Sequence, residues 1–242
     1  MHTSGNEPVE VLRANAVVSG YENEPVVTGV SLSVLRGEIV AVIGHNGSGK
    51  STLLKTLFGL LPLWAGDVSL DGKPCIPEPG SLRAAGVGYA PQGGRVFSDL
   101  TVSENLRVAV MALPTIAERS SSIDAVQHLL PRLKPLMSRL GRELSGGERQ
   151  VVALAMVLVV SPRLILLDEP SLGLAPQMVH YVLDQLQEIR QQHGTALLIV
   201  EQKIREVLRV ADRVYVLRNG TVSFSGSSES LRDVNRLREV YL

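Results

Sequence analysis

Three short, continuous apolar runs constrain the fold of this chain more than any other feature of its sequence. They occupy Glu38–Ile43, Leu164–Leu167 and Ala196–Val200, and stretches with helical spacing at Lys50–Leu60 and Gln177–Gln191 lie between them. Apolar strands without alternation are typical of parallel sheets that helices cover on both faces. The sequence therefore predicts an α/β fold with a mainly parallel core sheet. Ligands of such sheets bind beyond the carboxyl ends of the strands.

Two regions outside that core have a different pattern. Val9–Val18 and Val26–Leu35 are rich in β-branched and apolar residues, and they predict an N-terminal antiparallel β subdomain. The region from about residue 95 to about residue 160 is interpreted as a helical insertion. In it, Thr101 has the spacing of a helix cap, and Glu118–Ser122 is interpreted as a polar connector.

A glycine-rich loop follows the first core strand and opens the first core helix. It fits the spacing G-x-x-x-x-G-K-[ST], in which backbone N–H groups and a helix N-terminus surround phosphate groups. Lys50 can reach the outer phosphates, the Ser51 hydroxyl can ligate Mg²⁺, and Thr52 can contact an inner phosphate. The candidate residues for binding a nucleotide are Gly44, His45, Asn46, Gly47, Ser48, Gly49, Lys50, Ser51 and Thr52.

Two carboxylates end the second core strand. Asp168 and Glu169 directly follow Leu164–Leu167, and a buried strand seldom ends in adjacent acids unless a cation or a proton transfer uses them. We expect Asp168 to hold Mg²⁺ through water, and Glu169 to act as a general base on an attacking water. Both residues belong to the edge of the sheet at which the glycine-rich loop is expected.

Length and composition exclude several classes of protein. The 242 residues suit a single domain, 1–242. The 24 basic and 24 acidic residues balance, which argues against a nucleic-acid partner held by bulk charge. Cys75 is the one cysteine, so an internal disulfide is excluded and a reducing compartment is favoured. No apolar run reaches the about 20 residues that cross a bilayer, and the N-terminus has no secretory pattern. A role at a membrane would then require partner chains.

A third motif lies shortly before the acidic strand. Leu144–Gln150 reads Leu-Ser-Gly-Gly-Glu-Arg-Gln. With the glycine-rich loop and the acidic strand, it resembles the signature of the ATP-binding-cassette (ABC) family, and the likeness covers nearly the whole chain. The resemblance implies a P-loop NTPase fold that binds ATP and Mg²⁺ as a dimer. It also implies that the amides of Ser145, Gly146 and Gly147 bind the γ-phosphate of an ATP held by the other subunit.

Further positions carry the same resemblance. Tyr21 lies where these proteins stack an aromatic ring on adenine, and Gln92 matches a glutamine that senses Mg²⁺ and the transporter. Ser171–Leu174 matches a loop that joins the two ATP sites. Gln202 departs from the family pattern, which has a histidine contacting the γ-phosphate at this place. The resemblance therefore implies that Gln202 senses the phosphate. Because an amide can donate a hydrogen bond but cannot carry a positive charge, Gln202 would do so as a neutral donor.

Several stretches narrow the resemblance to the LivF-type ATPases of branched-chain amino acid importers. These are Val200–Gln202, Tyr89–Phe97, Leu100–Leu106, Asp168–Pro176 and the closing Val240–Leu242. The partners implied are transmembrane permease subunits, a second ABC ATPase subunit (a paralogue or the chain itself) and a periplasmic or lipid-anchored solute-binding protein. The place implied is peripheral, on the cytoplasmic face of the cell membrane. Close relatives serve urea and short-chain amide importers, so the solute stays open. An export cassette and a soluble non-transport ATPase of the family are further alternatives.

Overall fold

The computed structural model describes residues 9–113 and 115–241. Residues 1–8, for which we predict no secretory signal, Pro114, and Leu242 of the closing stretch lie outside the described residues. The strands are β1 (Glu10–Tyr21), β2 (Glu24–Leu35), β3 (Ile39–Ile43), β4 (Ala65–Leu70), β5 (Lys73–Cys75), β6 (Val87–Ala90), β7 (Leu164–Asp168), β8 (Ala196–Glu201), β9 (Arg213–Arg218) and β10 (Thr221–Ser227). The helices are α1 (Lys50–Leu57), α2 (Pro79–Ala84), α3 (Val102–Ala109), α4 (Ile116–Leu129), α5 (Gly146–Leu158), α6 (Pro176–His193), α7 (Ile204–Val207) and α8 (Val234–Tyr241). Short 3-10 helices occupy Val110–Ala112, Pro131–Leu136, Gly141–Glu143 and Ser228–Leu231.

The core sheet has the strand order β10-β9-β3-β8-β7-β6. Strand β3 pairs in parallel with β8 and β9, and β7 pairs in parallel with β6 and β8, whereas the edge strand β10 is antiparallel to β9. Every residue of β3, β7 and β8 is buried, which explains why their sequences are continuously apolar up to the closing Asp168 of β7 and Glu201 of β8. The predicted mainly parallel core sheet is confirmed. Its parallel strands bring the carboxyl ends of β3, β6, β7 and β8 to one edge.

Both faces of this sheet are covered. On one face, Ile39, Ala41 and Ile43 of β3 join a core built with α3, α5 and α6. On the other face, Val40 and Val42 pack with α1 and a second sheet. That sheet is antiparallel, with the order β2-β1-β4-β5, so the predicted N-terminal antiparallel β subdomain is also confirmed.

The segment between β6 and β7 contains α3, α4 and α5, and it corrects one expectation. Glu118–Ser122 is not a connector but part of α4, which begins after Thr115. A capping box starts the helix there: Glu118 N donates to Thr115 Oγ1 at 3.1 Å, and Thr115 N donates to Glu118 Oε2 at 3.0 Å. The serines that suggested a loop are tolerated because a cap and the buried Val126 stabilise the helix.

Helix α1 is shorter than its sequence pattern predicts. It ends at Leu57 rather than at Leu60, because Gly59 adopts a left-handed conformation with φ of 78°. Gly59 N donates to Thr56 O at 2.9 Å, and Leu60 N donates to Lys55 O at 2.8 Å. These two bonds form the Schellman arrangement that closes a helix on glycine.

Candidate nucleotide-binding site

The glycine-rich loop connects β3 to α1 and is packed tightly at its base. A Cβ on Gly44 would lie 2.3 Å from the carbonyl oxygen of Leu217 and 2.5 Å from Ser48 Oγ, so a side chain has no room there. Gly49 is the N-cap of α1, with a left-handed φ of 100°. A curved, glycine-rich backbone ahead of a helix N-terminus is the arrangement that binds phosphate groups.

Lys50 is the first residue of α1 and is only 4 % exposed. Its Nζ donates to the carbonyl oxygens of Gly44 at 2.9 Å and His45 at 3.0 Å. Burial lowers the pKa of Lys50, and the nearby carboxylates of Glu169 and Asp168 act in the opposite direction. Charged phosphate oxygens are stronger acceptors than carbonyl oxygens. The phosphate oxygens of a bound nucleotide can therefore replace the loop carbonyl oxygens as acceptors for the Lys50 ammonium.

Asp168 ends β7 and lies against the first turn of α1. Ser51 Oγ donates to Asp168 Oδ1 at 2.7 Å, and Tyr89 OH donates to Oδ2 at 3.5 Å. Burial raises the pKa of Asp168, and the hydrogen bond from Ser51 opposes this effect. A hydroxyl oxygen beside a carboxylate oxygen supplies the hard ligands that Mg²⁺ prefers.

Glu169 lies between two glutamines. Gln92 Nε2 donates to Glu169 Oε2 at 2.9 Å, and Gln202 Nε2 donates to Glu169 Oε1 at 2.5 Å. The three residues come from beyond the carboxyl ends of β6, β7 and β8, which are neighbours in the sheet. The backbone of Glu169 is left-handed, with φ of 46°, a conformation that is costly for a residue with a Cβ. Both carboxylate oxygens are thus oriented by amides.

Two observations bear on whether ATP and Mg²⁺ fit here. Ser48 Oγ is buried in the loop and has no hydrogen-bond partner among the described residues, so it is available to a phosphate oxygen. Among the residues that the structure describes, no group of three or more His, Cys, Asp or Glu side chains could hold a metal by itself. The Ser51 hydroxyl and the Asp168 carboxylate are adjacent, and Mg²⁺ is usually bound by one or two protein groups together with substrate phosphates.

The signature motif begins α5, and Tyr21 ends β1. Ser145 caps α5 through a capping box with Glu148, and none of the hydrogen bonds found in residues 9–113 and 115–241 joins Ser145, Gly146 or Gly147 to the loop or to Glu169. Tyr21 ends β1 and is 45 % exposed. In this single chain, the structure brings together the loop, the two acids and the two glutamines, but not the signature motif.

His45 has a contact that its place in the loop did not predict. Its ring lies 4.2 Å from the ring of Tyr241, centroid to centroid, and its Nε2 is 3.2 Å from the Tyr241 carbonyl oxygen. Tyr241 is the last residue of α8. The C-terminal helix therefore rests against the glycine-rich loop.

Sequence reasoning assigned no role to three other residues near the site. Tyr89 donates to Asp168. Glu201 accepts a hydrogen bond from the backbone N–H of Ser171, and Lys203 Nζ donates to the carbonyl oxygen of Ser171. The one signal available for Glu201 was a carboxylate at the end of an apolar strand, the pattern that singled out Asp168.

Comparison with known proteins identifies the family. A family model described as ABC transporter matches residues 27–172, more than half of the chain. The chain belongs to the ABC transporter family. The expected resemblance to LivF-type ATPases is also confirmed. The cassette is 35 % identical over 231 residues to a probable branched-chain amino acid transport ATP-binding protein, LivF, of Archaeoglobus fulgidus. The aligned region covers 95 % of this chain and 98 % of the relative.

Two further relatives and one solved structure are similar to the cassette. It is 38 % identical over 214 residues to the high-affinity branched-chain amino acid transport ATP-binding protein BraG of Pseudomonas aeruginosa, covering 88 % and 91 % of the two chains. It is 34 % identical over 235 residues to the lipopolysaccharide export system ATP-binding protein LptB of Acidithiobacillus ferridurans, covering 96 % and 97 %. The structure of cbiO1 from Clostridium perfringens, part of the ABC transporter complex cbiONQ, has a TM-score of 0.84 at 26 % identity, covering 96 % and 94 %.

The family membership establishes the general activity. The cassette is the ATP-binding subunit of an ABC transporter, and it hydrolyses ATP in a reaction coupled to transport. Among the residues that the structure describes, no helix is long and apolar enough to cross a bilayer.

Proposed function

We propose that this cassette drives the import of branched-chain amino acids, and that one domain, 1–242, with a helical subdomain at about residues 95–160, performs the hydrolysis. The hydrolytic site is supported by one observation: Gln92 and Gln202 both donate hydrogen bonds to Glu169 at one edge of the sheet. The import of branched-chain amino acids is supported by the identities of 35 % and 38 % to proteins named for that transport.

In this proposal the glycine-rich loop and α1 bind the triphosphate. Lys50 exchanges its two carbonyl partners for phosphate oxygens, and the unpartnered Ser48 Oγ donates to another. The Ser51 hydroxyl and the Asp168 carboxylate, with Gln92, would hold Mg²⁺, which would supply positive charge to neutralise the phosphates. Thr52, at the next position of α1, contacts an inner phosphate. Tyr21 stacks on the adenine.

Glu169 acts as the general base. It accepts a proton from the water that attacks the γ-phosphorus, while the bond from that phosphorus to the oxygen bridging the β-phosphate breaks and ADP leaves with the bridging oxygen. The two amides keep the Glu169 carboxylate oriented during this step. Gln202 then shares its donor between Glu169 and the γ-phosphate. Because neither glutamine titrates, the position of Glu169 does not depend on the protonation of its two amide partners.

The signature motif acts on a second cassette. Ser145, Gly146 and Gly147 form the N-terminus of α5, and such a terminus favours an anion. In a dimer, each ATP lies between the glycine-rich loop of one cassette and α5 of its partner, which is either a paralogue or a second copy. ATP binds the closed dimer better than the open one, and this difference in affinity drives closure.

The remaining partners are membrane and solute-binding chains. We place the cassette at the cytoplasmic face of the cell membrane, held there by permease subunits that contact the surface near Gln92 and Arg95–Phe97, where Phe97 is 51 % exposed. A solute-binding protein, periplasmic or lipid-anchored, delivers the solute to the permease from the other side.

An export function is the second candidate. The 34 % identity to LptB over 96 % of this chain favours it almost as much as the identity to LivF favours import. Because the cassette itself contacts no solute in either proposal, the permease partner decides between them.

Two substitutions test the hydrolytic site. Lys50→Ala is expected to abolish tight ATP binding in an equilibrium titration. Glu169→Gln is expected to keep ATP binding, to lower turnover by about 10²- to 10⁴-fold, and to accumulate as an ATP-bound dimer in gel filtration. The matched controls Lys134→Ala and Glu188→Gln alter exposed residues and should behave as the parent. Parental turnover in Glu169→Gln would contradict its role as the base.

Uptake measurements test the solute. Cells that lack the gene should lose uptake of labelled leucine, and regain it with the parent chain but not with the Glu169→Gln variant. Unchanged leucine uptake in the absence of the gene would refute branched-chain amino acid import. Loss of urea uptake, or an outer-membrane defect in lipopolysaccharide, would favour the corresponding alternative. A pull-down from detergent-solubilised membranes should recover a permease.

A further inference from the structure

Both backbone polar groups of Ser171 form hydrogen bonds with side chains of the residues that flank Gln202. Ser171 N donates to Glu201 Oε1 at 2.8 Å, and Lys203 Nζ donates to Ser171 O at 3.0 Å. Lys203 Nζ also donates to Leu174 O at 3.3 Å. The segment that carries Gln202 is therefore joined by side chains to the turn that follows Glu169.

Glu201 is an unusual residue to find buried. It is 2 % exposed, and besides Ser171 N it accepts the backbone N–H groups of Gln202 at 3.1 Å and Lys203 at 3.4 Å. Burial raises the pKa of Glu201, and these hydrogen bonds oppose the rise. A carboxylate is expensive to bury, so a buried one whose oxygens are bonded to two separate segments is well suited to fixing them relative to each other.

The turn that Glu201 and Lys203 hold directly follows the strained Glu169. Glu169 has a φ of 46°, and a left-handed conformation of this kind persists only when the surroundings enforce it. Glu169 N donates to Val200 O at 3.0 Å, and Leu172 N donates to Glu169 O at 3.1 Å. Val200 at the end of β8 thus contacts Glu169, while Glu201 and Lys203 contact the turn that follows it.

We propose that Glu201 and Lys203 are positioning residues for ATP hydrolysis, which hold the turn 171–174, and through it the Glu169 carboxylate, in register with Gln202. They act through Glu169 and do not touch the substrate. Because Gln202 contacts the same carboxylate directly, Glu169, Gln202 and the turn move as one body. The inference rests on the proposed role of Glu169 as the base.

Kinetics of the purified full-length chain test the positioning role. Lys203→Met removes both hydrogen bonds that Nζ donates to the turn. It is expected to lower kcat by about 10- to 100-fold, as a misplaced catalytic group does. The KM for ATP should stay within about twofold of the parental value. Lys203→Arg restores a cation with several donors and should recover part of kcat. Arg205→Met removes an exposed cation two residues further on and serves as the matched control.

Glu201→Gln provides a second variant that keeps the size of the side chain but removes its charge. It is expected to lower kcat in the same range while the KM stays near the parental value. A parental kcat in both Lys203→Met and Glu201→Gln would overturn the proposal. A raised KM at unchanged kcat would also overturn it, because it would assign these residues to ATP binding.

Amide hydrogen exchange separates this inference from the proposed function. Without nucleotide, the peptide that covers residues 169–174 should exchange faster in Lys203→Met than in the parent and in Arg205→Met, whereas peptides from α6 should not change. Equal exchange in variant and parent would overturn the proposal even if the parent hydrolyses no ATP. Absence of ATP turnover in the parent would separately refute the role of Glu169 as the general base.

Discussion

The contact between Gln202 and Glu169 allows the sharpest prediction. The Gln202 amide donates to a carboxylate oxygen of Glu169 at 2.5 Å. Gln202→Ala removes this bond, and among the described residues the carboxylate then keeps the hydrogen bond from Gln92. Hydrogen bonds to charged groups are worth about 1.5–3 kcal/mol. Because Gln202 is only partly buried, water can replace part of the bond, and the lower value of about 1.5 kcal/mol applies.

At about 1.4 kcal/mol for each factor of ten, this contact corresponds to a loss of about tenfold in kcat. The loss should be smaller than that of Glu169→Gln, for which about 10²- to 10⁴-fold is expected. Steady-state phosphate release at saturating ATP measures both rates. Gln192→Ala, which changes an exposed glutamine of α6, is the matched control and should retain the parental kcat.

A double-mutant cycle shows whether Gln202 acts through Glu169. In the Glu169→Gln background, adding Gln202→Ala should lower the residual single-turnover rate by less than it lowers the parental rate, because part of the effect of Gln202 passes through the Glu169 carboxylate. Fully additive losses would contradict this coupling, since no part of the Gln202 effect would then pass through Glu169. A kcat loss in Gln202→Ala as large as that of Glu169→Gln would also contradict it.

Further predictions concern pH and stability. Gln202→His should make kcat depend on pH near about pH 6.5, the usual pKa of an imidazole, whereas the parental rate should stay flat there; a flat profile in the variant would count against a Gln202 contact with the reacting groups. Because burial raises the pKa of Asp168 and Mg²⁺ needs the ionised carboxylate, Mg²⁺-dependent ATP affinity should fall with decreasing pH, beginning at a higher pH than an ordinary aspartate would allow; calorimetric titrations with and without Mg²⁺ check this. Leu133→Ala, at a fully buried position of the helical segment, should lower the free energy of unfolding in urea by about 2–5 kcal/mol, and Lys134→Ala should leave it unchanged.

Local sequence signals predicted the elements whose geometry is decided within a few residues. The Asn219-Gly220 pair forms the turn between β9 and β10 with positive φ at both residues, 47° and 77°, and this is the conformation that an Asn-Gly pair favours in a two-residue turn. The capping box at Thr101 starts α3 as expected. The prediction of a polar connector at Glu118–Ser122 was wrong. Its serines favour loops only weakly, and a cap three residues upstream of Glu118 together with the packing of Val126 stabilises a helix there.

The parts of the site that are contiguous in the chain could be predicted from residue order alone. The loop Gly44–Thr52 and the pair Asp168–Glu169 could be predicted because local backbone chemistry and residue type suffice to indicate phosphate and metal binding. The folded chain was needed to show that Glu169 accepts hydrogen bonds from Gln92, 77 residues away, and from Gln202, 33 residues away. That meeting depends on the order of β6, β7 and β8 in the sheet, and strand order is set by long-range packing and loop closure, which no short stretch of sequence encodes.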